Sequence, residues 1–300
     1  MLTDYTHKLL ALSLLPGIGR ASLAQLVALK DFETASIEEL ARKSSRLSAT
    51  FKKHGEDCWA VAQQQRDKQL ILAQQHGCRI LSINDPDYPA LLKQTPDAPA
   101  LLFMKGQLPD KPLTVAIIGT RKPSDEGIKI ARKATERYVE QDAAIVSGLA
   151  LGCDAIAHQT ALDCNGYTLA VLAHGLHTVE PAANRQLAQR ILDQGGAWLS
   201  EYPLGTRASR HHFVTRDRIQ AGLSDGVVLI QSAIDGGSLN ASKAILEYGR
   251  WLRVARRVDE SEMFAANDAL LGGDAGQLLR VLGKLPIAEG MIQELPGHYV

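Results

Sequence analysis

The chain has 300 residues, long enough for one large domain or for two unequal ones that each bury a core. Hydrophobic residues at 45% and charged residues at 22% are ordinary for a globular protein, and no run of about 18 apolar residues is present, which excludes a membrane-spanning helix. Lys plus Arg equals Asp plus Glu at 33 each, so bulk charge gives no support for nucleic acid, and any such site must be a local patch.

In chain order, the N-terminus around Asp4 lacks the basic start, apolar stretch and cleavage site of a secretory signal, so a cytoplasmic location is expected. Residues 9–29 read as two short helices joined by Leu15-Pro16-Gly17-Ile18-Gly19, a helix-hairpin-helix (SAM-like) pattern whose turn can offer backbone N–H groups to a phosphate. The competing reading is a helical bundle in which Pro-Gly only makes a tight turn; Arg20 alone is close enough to help bind DNA. Helix continues to about residue 75 with Ile37, Leu40, Trp59 and Val61 as expected core, giving a helical domain over 1–75. A strand-like run follows at 78–83, then a short helix at 88–92 and an edge strand at 99–103. The cysteines Cys58, Cys78, Cys153 and Cys164 form no CxxC pair and no dense framework, which argues against zinc and against a disulfide scaffold; no metal and no cofactor are expected.

Beyond residue 114 short apolar runs alternate with helical stretches, with strands at 115–118, 144–146, 169–172, 197–199, 227–230 and 251–254. This alternation predicts an α/β, Rossmann-like, mainly parallel sheet with helices on both faces over 76–285, and ligands outside the carboxyl ends of its strands. Residues 286–300, with Pro, Gly and little periodicity, read as a tail.

Three glycine-bearing strand-to-helix loops carry the functional signal. The first, Gly119-Thr120-Arg121-Lys122-Pro123-Ser124, has a glycine for close backbone approach, Arg121 to fork onto a phosphate and Ser124 as N-cap. The second, Ser147-Gly148-Leu149-Ala150-Leu151-Gly152-Cys153-Asp154, reads either as a phosphate nest or as small residues serving strand–helix packing. His158, among alanines, reads as a hydrogen-bonded core residue, and Asn184 as a helix cap or a base contact. Arg207, Arg210, His211, His212, Phe213, Arg216 and Arg218 form the densest basic stretch, one aromatic among arginines, suited to stacking on a base between gripped phosphates. The third loop is Asp235-Gly236-Gly237-Ser238-Leu239-Asn240, with Lys243 following. No GxGxxG, Walker A, HExxH or GxSxG pattern is present; Glu201 and Glu247 are candidate carboxylates for which salt bridges are the commoner role.

The succession Val115-Ala-Ile-Ile-Gly-Thr-Arg121, Ser147-Gly-Leu-Ala-Leu-Gly-Cys-Asp154 with His158, Pro181 with Asn184, Ser200-Glu-Tyr-Pro203, Phe213 with Arg216 and Arg218, and Gly237-Ser-Leu239 resembles the DNA-processing protein A family, DprA, also called Smf. The resemblance covers about residues 80–250. It implies a non-catalytic, homodimeric binder of single-stranded DNA that protects strands in DNA uptake and recombination and assists loading of the RecA recombinase. Carried over residue by residue, it makes Arg121, Lys122, Ser147, Gly148, Asn184, Phe213, Arg216, Arg218, Gly237 and Ser238 the DNA-contacting set, to which the loop reading adds Gly119, Gly152 and Lys243. The chain departs from the family pattern at Asp217 (usually Asn), Gln231 (usually Glu), Asn240 (usually Thr) and Ala255-Arg256-Arg257 (usually Pro-Gly), and the winged-helix tail of many members is not seen in it. An acid at 217 beside the phosphates is expected to weaken binding. The alternative is a nucleotide-binding or nucleotide-cleaving enzyme on the same fold, echoed by Gly236-Gly237-Ser238 with Glu247; a regulatory scaffold with silent basic loops is a third reading.

Overall fold

A computed structural model of the chain describes residues 2–55, 57–259, 261–273, 275–285 and 287–296. Five helices open it: α1 (Asp4–Ser13), α2 (Arg20–Val27), α3 (Ile37–Lys43), α4 (Ser45–His54) and α5 (Asp57–Gln75). Their starts follow from local chemistry. Thr3 and Ser44 accept hydrogen bonds from the first turns of α1 and α4, and Ser36 with Glu39 closes a capping box on α3. The glycine hairpin is the turn between α1 and α2, clasped from α4 by Arg46 Nε donating to Gly17 O at 2.9 Å and Thr50 Oγ1 donating to Pro16 O at 3.2 Å. Val61, expected in the core, is 49% exposed, because the inward stripe of α5 runs through Cys58, Ala62 and Ala73 and leaves Val61 to one side.

There follow β1 (Arg79–Ser82), α6 (Ala90–Lys93), β2 (Leu101–Gly106), β3 (Leu113–Ile118), α7 (Asp125–Glu140), β4 (Ala143–Ser147), α8 (Cys153–Asp163), β5 (Thr168–Val171), α9 (Arg185–Asp193) and β6 (Ala197–Ser200). The chain continues through α10 (Arg210–Gly222), β7 (Gly226–Leu229), α11 (Leu239–Glu247), β8 (Trp251–Val254), α12 (Ala265–Gly272), α13 (Ala275–Leu282) and β9 (Ile292–Glu294). The strands form one sheet in the order β1-β2-β6-β5-β4-β3-β7-β8-β9. All neighbours from β6 to β9 are parallel, and β1 and β2 add antiparallel strands. The edge belongs to β1; β2, expected there, lies one strand inside. The stretch read as a tail contains β9, which pairs in parallel with β8 and buries Leu295 behind it. A three-residue strand, Ile-Gln-Glu, has too short an apolar pattern to announce itself.

The central strands are apolar throughout because helices cover both faces of the sheet. In β3 the two-residue alternation is plain: Val115 and Ile117 pack with α7 and α8, whereas Ala116 and Ile118 share the opposite face with residues of α10 and α11. Order along the sheet reverses at β3, which has β4 on one side and β7 on the other. That places the topological switch point, and the crevice it opens, between the loops after β3 and β7.

Candidate nucleic-acid interface

A cleft of about 1120 Å³ occupies this crevice, walled by the loops after β3 and β7, by one face of α10 and by Arg280 and Val281 of α13. Among the described residues, six cationic side chains line it, Arg121, Lys122, Arg210, Arg216, Lys243 and Arg280, against the three carboxylates Asp154, Asp217 and Asp235. The Arg121 guanidinium lies over the Phe213 ring, 5.1 Å from its centroid. Local patches can thus be basic in a chain of zero net charge.

Of the residues expected to contact DNA, Gly119, Arg121, Lys122, Phe213, Arg216, Gly237, Ser238 and Lys243 line this one cleft. Arg216 forms part of its floor: it is 3% exposed, its Nη1 donates to Val171 O at 2.6 Å, and its Nε stands 3.2 Å from Asp217 Oδ1. Gly148 makes room for it, since a Cβ there would fall 1.7 Å from Arg216 Nη1. Gly119 and Gly152 let the loops after β3 and β4 interlock: added Cβ atoms would meet Cys153 Sγ at 2.5 Å and Thr120 O at 2.4 Å. Gly237 faces open space. The Ser238 hydroxyl is held on Ser232 Oγ at 2.9 Å.

The other expected contacts lie outside the cleft lining and are engaged within the protein. The nest after β4 is already filled, because the Asp154 carboxylate accepts from Gly148 N at 3.2 Å and Ala150 N at 3.3 Å, where a phosphate would otherwise sit. Ser147 is fully buried and donates to Ile117 O at 2.7 Å. The Asn184 side chain does not cap its helix; its Nδ2 donates to Leu149 O at 2.8 Å and Ala150 O at 3.2 Å, fastening the same loop. Arg218 leaves α10 on another side from the cleft and pairs with Glu201, with Asp97 3.4 Å away. Glu201 is therefore an ion-pair partner, and Glu247 is exposed on α11 outside the cleft. His158 is fully buried with Nδ1 2.6 Å from Thr168 Oγ1, and burial, reinforced by Arg216, holds its pKa down at about 3, so it is neutral.

Asp217 sits in the cleft wall, 15% exposed. Burial pushes its pKa up to about 6, with the Arg216 guanidinium opposing the rise. Gln220 Nε2 donates to its Oδ1 at 3.1 Å and Asn240 Nδ2 approaches Oδ2 at 3.4 Å, so two of the family departures, at 217 and 240, touch each other. The third, Gln231, is fully buried and holds Ser124, the N-cap of α7, with Oε1 accepting from Ser124 N and Nε2 donating to its hydroxyl, both at 3.0 Å. Sequence reading named Asn240 only within its loop and as a family departure and passed over Gln220, although Arg210, Phe213, Asp217 and Gln220 are spaced as one helix face. It also missed Arg280, for which a single basic residue on a late helix gives no signal.

A sequence model described as DNA recombination-mediator protein A matches residues 79–282. Protein Smf of Synechocystis is 37% identical over 237 residues, 75% of this chain and 59% of that protein; DNA processing protein DprA of Bacillus subtilis is 33% identical over 237 residues, 77% of this chain and 76% of that protein. Protein Smf of Escherichia coli is 36% identical over 185 residues, and the chain spans 50% of its length, so the match to these relatives is partial for some and extensive for others. Among solved structures, DprA of Streptococcus pneumoniae superposes with a TM-score of 0.73 at 27% identity over 96% of this chain and 99% of its own. DprA of Helicobacter pylori, studied for its single-stranded DNA binding mode, gives a TM-score of 0.58 at 30% identity over 67% of this chain and 88% of its own. With the family match covering most of the chain, and the nine-stranded sheet and its cleft in place, the chain belongs to the DNA recombination-mediator protein A family, the DprA/Smf group.

Proposed function

We propose that this chain binds single-stranded DNA in the cleft between the β3 and β7 loops, catalyses no reaction, and works as a homodimer in the cytoplasm that protects strands and assists RecA loading. The observation that carries the DNA reading is the Arg121–Phe213 pair in a cleft that, among the described residues, has twice as many cations as carboxylates. A ring and a guanidinium plane give unpaired bases a stacking surface, and the surrounding Lys and Arg side chains give the backbone a positive track. Duplex bases, stacked on each other, cannot use the ring. The Helicobacter pylori relative and its single-stranded DNA binding mode support the same reading. The homodimer and the RecA step rest on family membership.

The test is a fluorescence-anisotropy titration of single- and double-stranded DNA of equal length across a salt series. Tighter, salt-dependent binding of the single strand is expected. Equal affinity for both forms would remove the role given to Phe213. Release of free base or phosphate from added nucleotides would replace a binding protein with a nucleotide-cleaving enzyme.

A further inference from the structure

We propose that Asp217 reads the Watson–Crick edge of a base held in the cleft and gives this chain a preference for guanine in single-stranded DNA. This rests on the DNA-binding reading above and deepens it. Arg210, Phe213, Asp217 and Gln220 follow one another at helical spacing on α10, and all four line the cleft. Asp217 stands one turn, about 6 Å along the helix axis, beyond Phe213. A base stacked on the Arg121–Phe213 pair therefore brings its edge toward the carboxylate.

The carboxylate has acceptor capacity left. Its two oxygens offer about four positions. Gln220 Nε2 takes one at 3.1 Å, Asn240 Nδ2 approaches another at 3.4 Å, and Arg216 Nε, although 3.2 Å away, makes no aligned hydrogen bond. Donating to Asp217 also fixes the orientation of the Gln220 amide. Its Oε1, in a side chain only 2% exposed that lines the cleft, is left without a hydrogen-bond partner. A buried acceptor in that state is costly.

Guanine supplies the matching set of hydrogens. N1–H and one N2 hydrogen point side by side and suit the two oxygens of a carboxylate. Adenine and cytosine offer one exocyclic amine beside a ring nitrogen that repels a carboxylate. Thymine offers one N–H between two carbonyl oxygens. The Asn usual in the family at 217 carries only one acceptor oxygen, so the preference belongs to the Asp found here.

The experiment uses the whole chain and thymidine oligonucleotides of equal length that carry isolated guanine, inosine or adenine at the same positions, spaced to prevent guanine quadruplexes. Anisotropy titrations should show guanine tighter than adenine by about tenfold, the size of one bidentate base contact. Inosine, which differs from guanine only by the missing N2 amine, should lose most of that gain on the unaltered protein. Asp217→Asn should abolish the guanine preference, so that guanine, inosine and adenine strands bind alike. Equal affinity for guanine, adenine and inosine, with salt-dependent binding intact, overturns the base reading and leaves the DNA reading standing. Retention of the preference in Asp217→Asn overturns the role of Asp217. No salt-dependent binding of any strand overturns both readings.

Discussion

Arg121→Ala removes the guanidinium that covers Phe213, and should weaken single-strand binding while lowering the slope of log affinity against log salt by roughly 0.7, the counterion release of one phosphate contact. An unchanged slope in a folded variant would place the DNA track elsewhere. Arg218→Met makes the contrasting prediction. Arg218 is 8% exposed and pairs with Glu201, so its loss strands a half-buried carboxylate and should cost about 3–5 kcal/mol of stability, measured by urea unfolding. The slope of salt dependence in the protein that stays folded should not move, because Arg218 is outside the cleft. Arg216 and Arg218 look equivalent in a sequence, two arginines around one acid; their separation of two residues on a helix turns them about 200° apart, and only the structure shows which of them the cleft receives. Asp217 gives a pH test with a definite sign. Its carboxyl has a pKa near 3.8 when exposed and about 6 in the fold, so the folded chain holds the extra proton between those values. Stability should therefore fall as pH rises from about 4 to about 6, with the penalty absent below that window and complete above it. Asp217→Asn should flatten this step and be more stable at neutral pH by roughly 1–3 kcal/mol, read as the difference between the two stability–pH curves.

At the scale of elements, the loop after β4 shows how the same residues serve packing and binding. Its serine and glycines were readable as a phosphate nest, and the competing reading, tight strand–helix packing, was equally open. The deciding group was Asp154, whose carboxylate takes the backbone N–H groups of the nest itself. Nothing in the spacing said that this acid would turn back onto its own loop. The glycines still matter to the cleft, through Arg216. Gly148→Ala should drive a methyl into the guanidinium, shift Arg216 from the floor and reduce both stability and single-strand affinity, whereas Gly237→Ala, at a position with open space around it, should leave the fold's stability within about 0.5 kcal/mol. Comparable stability in the two variants would mean that the β4 loop adjusts and that the glycine is not needed for Arg216. The strands of the central sheet were legible because burial on both faces makes them short, continuous apolar runs. β9 was not, since its pairing comes from β8 rather than from any pattern of its own.

At the scale of the whole molecule, the passage from helical periodicity to a strand-like run near residue 76 suggested two domains; α5 ends at Gln75 and β1 begins at Arg79. The packing across that boundary is continuous. One hydrophobic cluster joins Leu9, Leu26, Phe32 and Leu40 of the helical part to Phe103, Leu172 and Trp198 of the sheet. Polar ties reinforce it: Thr6 Oγ1 donates to Ser82 Oγ at 3.1 Å, and Gln69 and Leu204 exchange two hydrogen bonds of 2.9 Å. Sequence periodicity marks where helices give way to strands, but it carries no record of which apolar faces meet, so a change of element type was legible where a shared core was not. Because the helical part covers sheet residues that would otherwise face water, the two should unfold together. Urea transitions followed by far-ultraviolet circular dichroism and by tryptophan fluorescence, with Trp59 reporting on α5 and Trp198 on β6, should coincide. A fragment of residues 76–300 should expose the apolar face around Phe103 and Trp198 and bind a hydrophobic dye that the whole chain does not. Two separated transitions, together with a fragment of residues 1–75 that folds alone, would show instead that the helices are an independent domain resting on the sheet, and the cluster between them would then be an interface rather than a core.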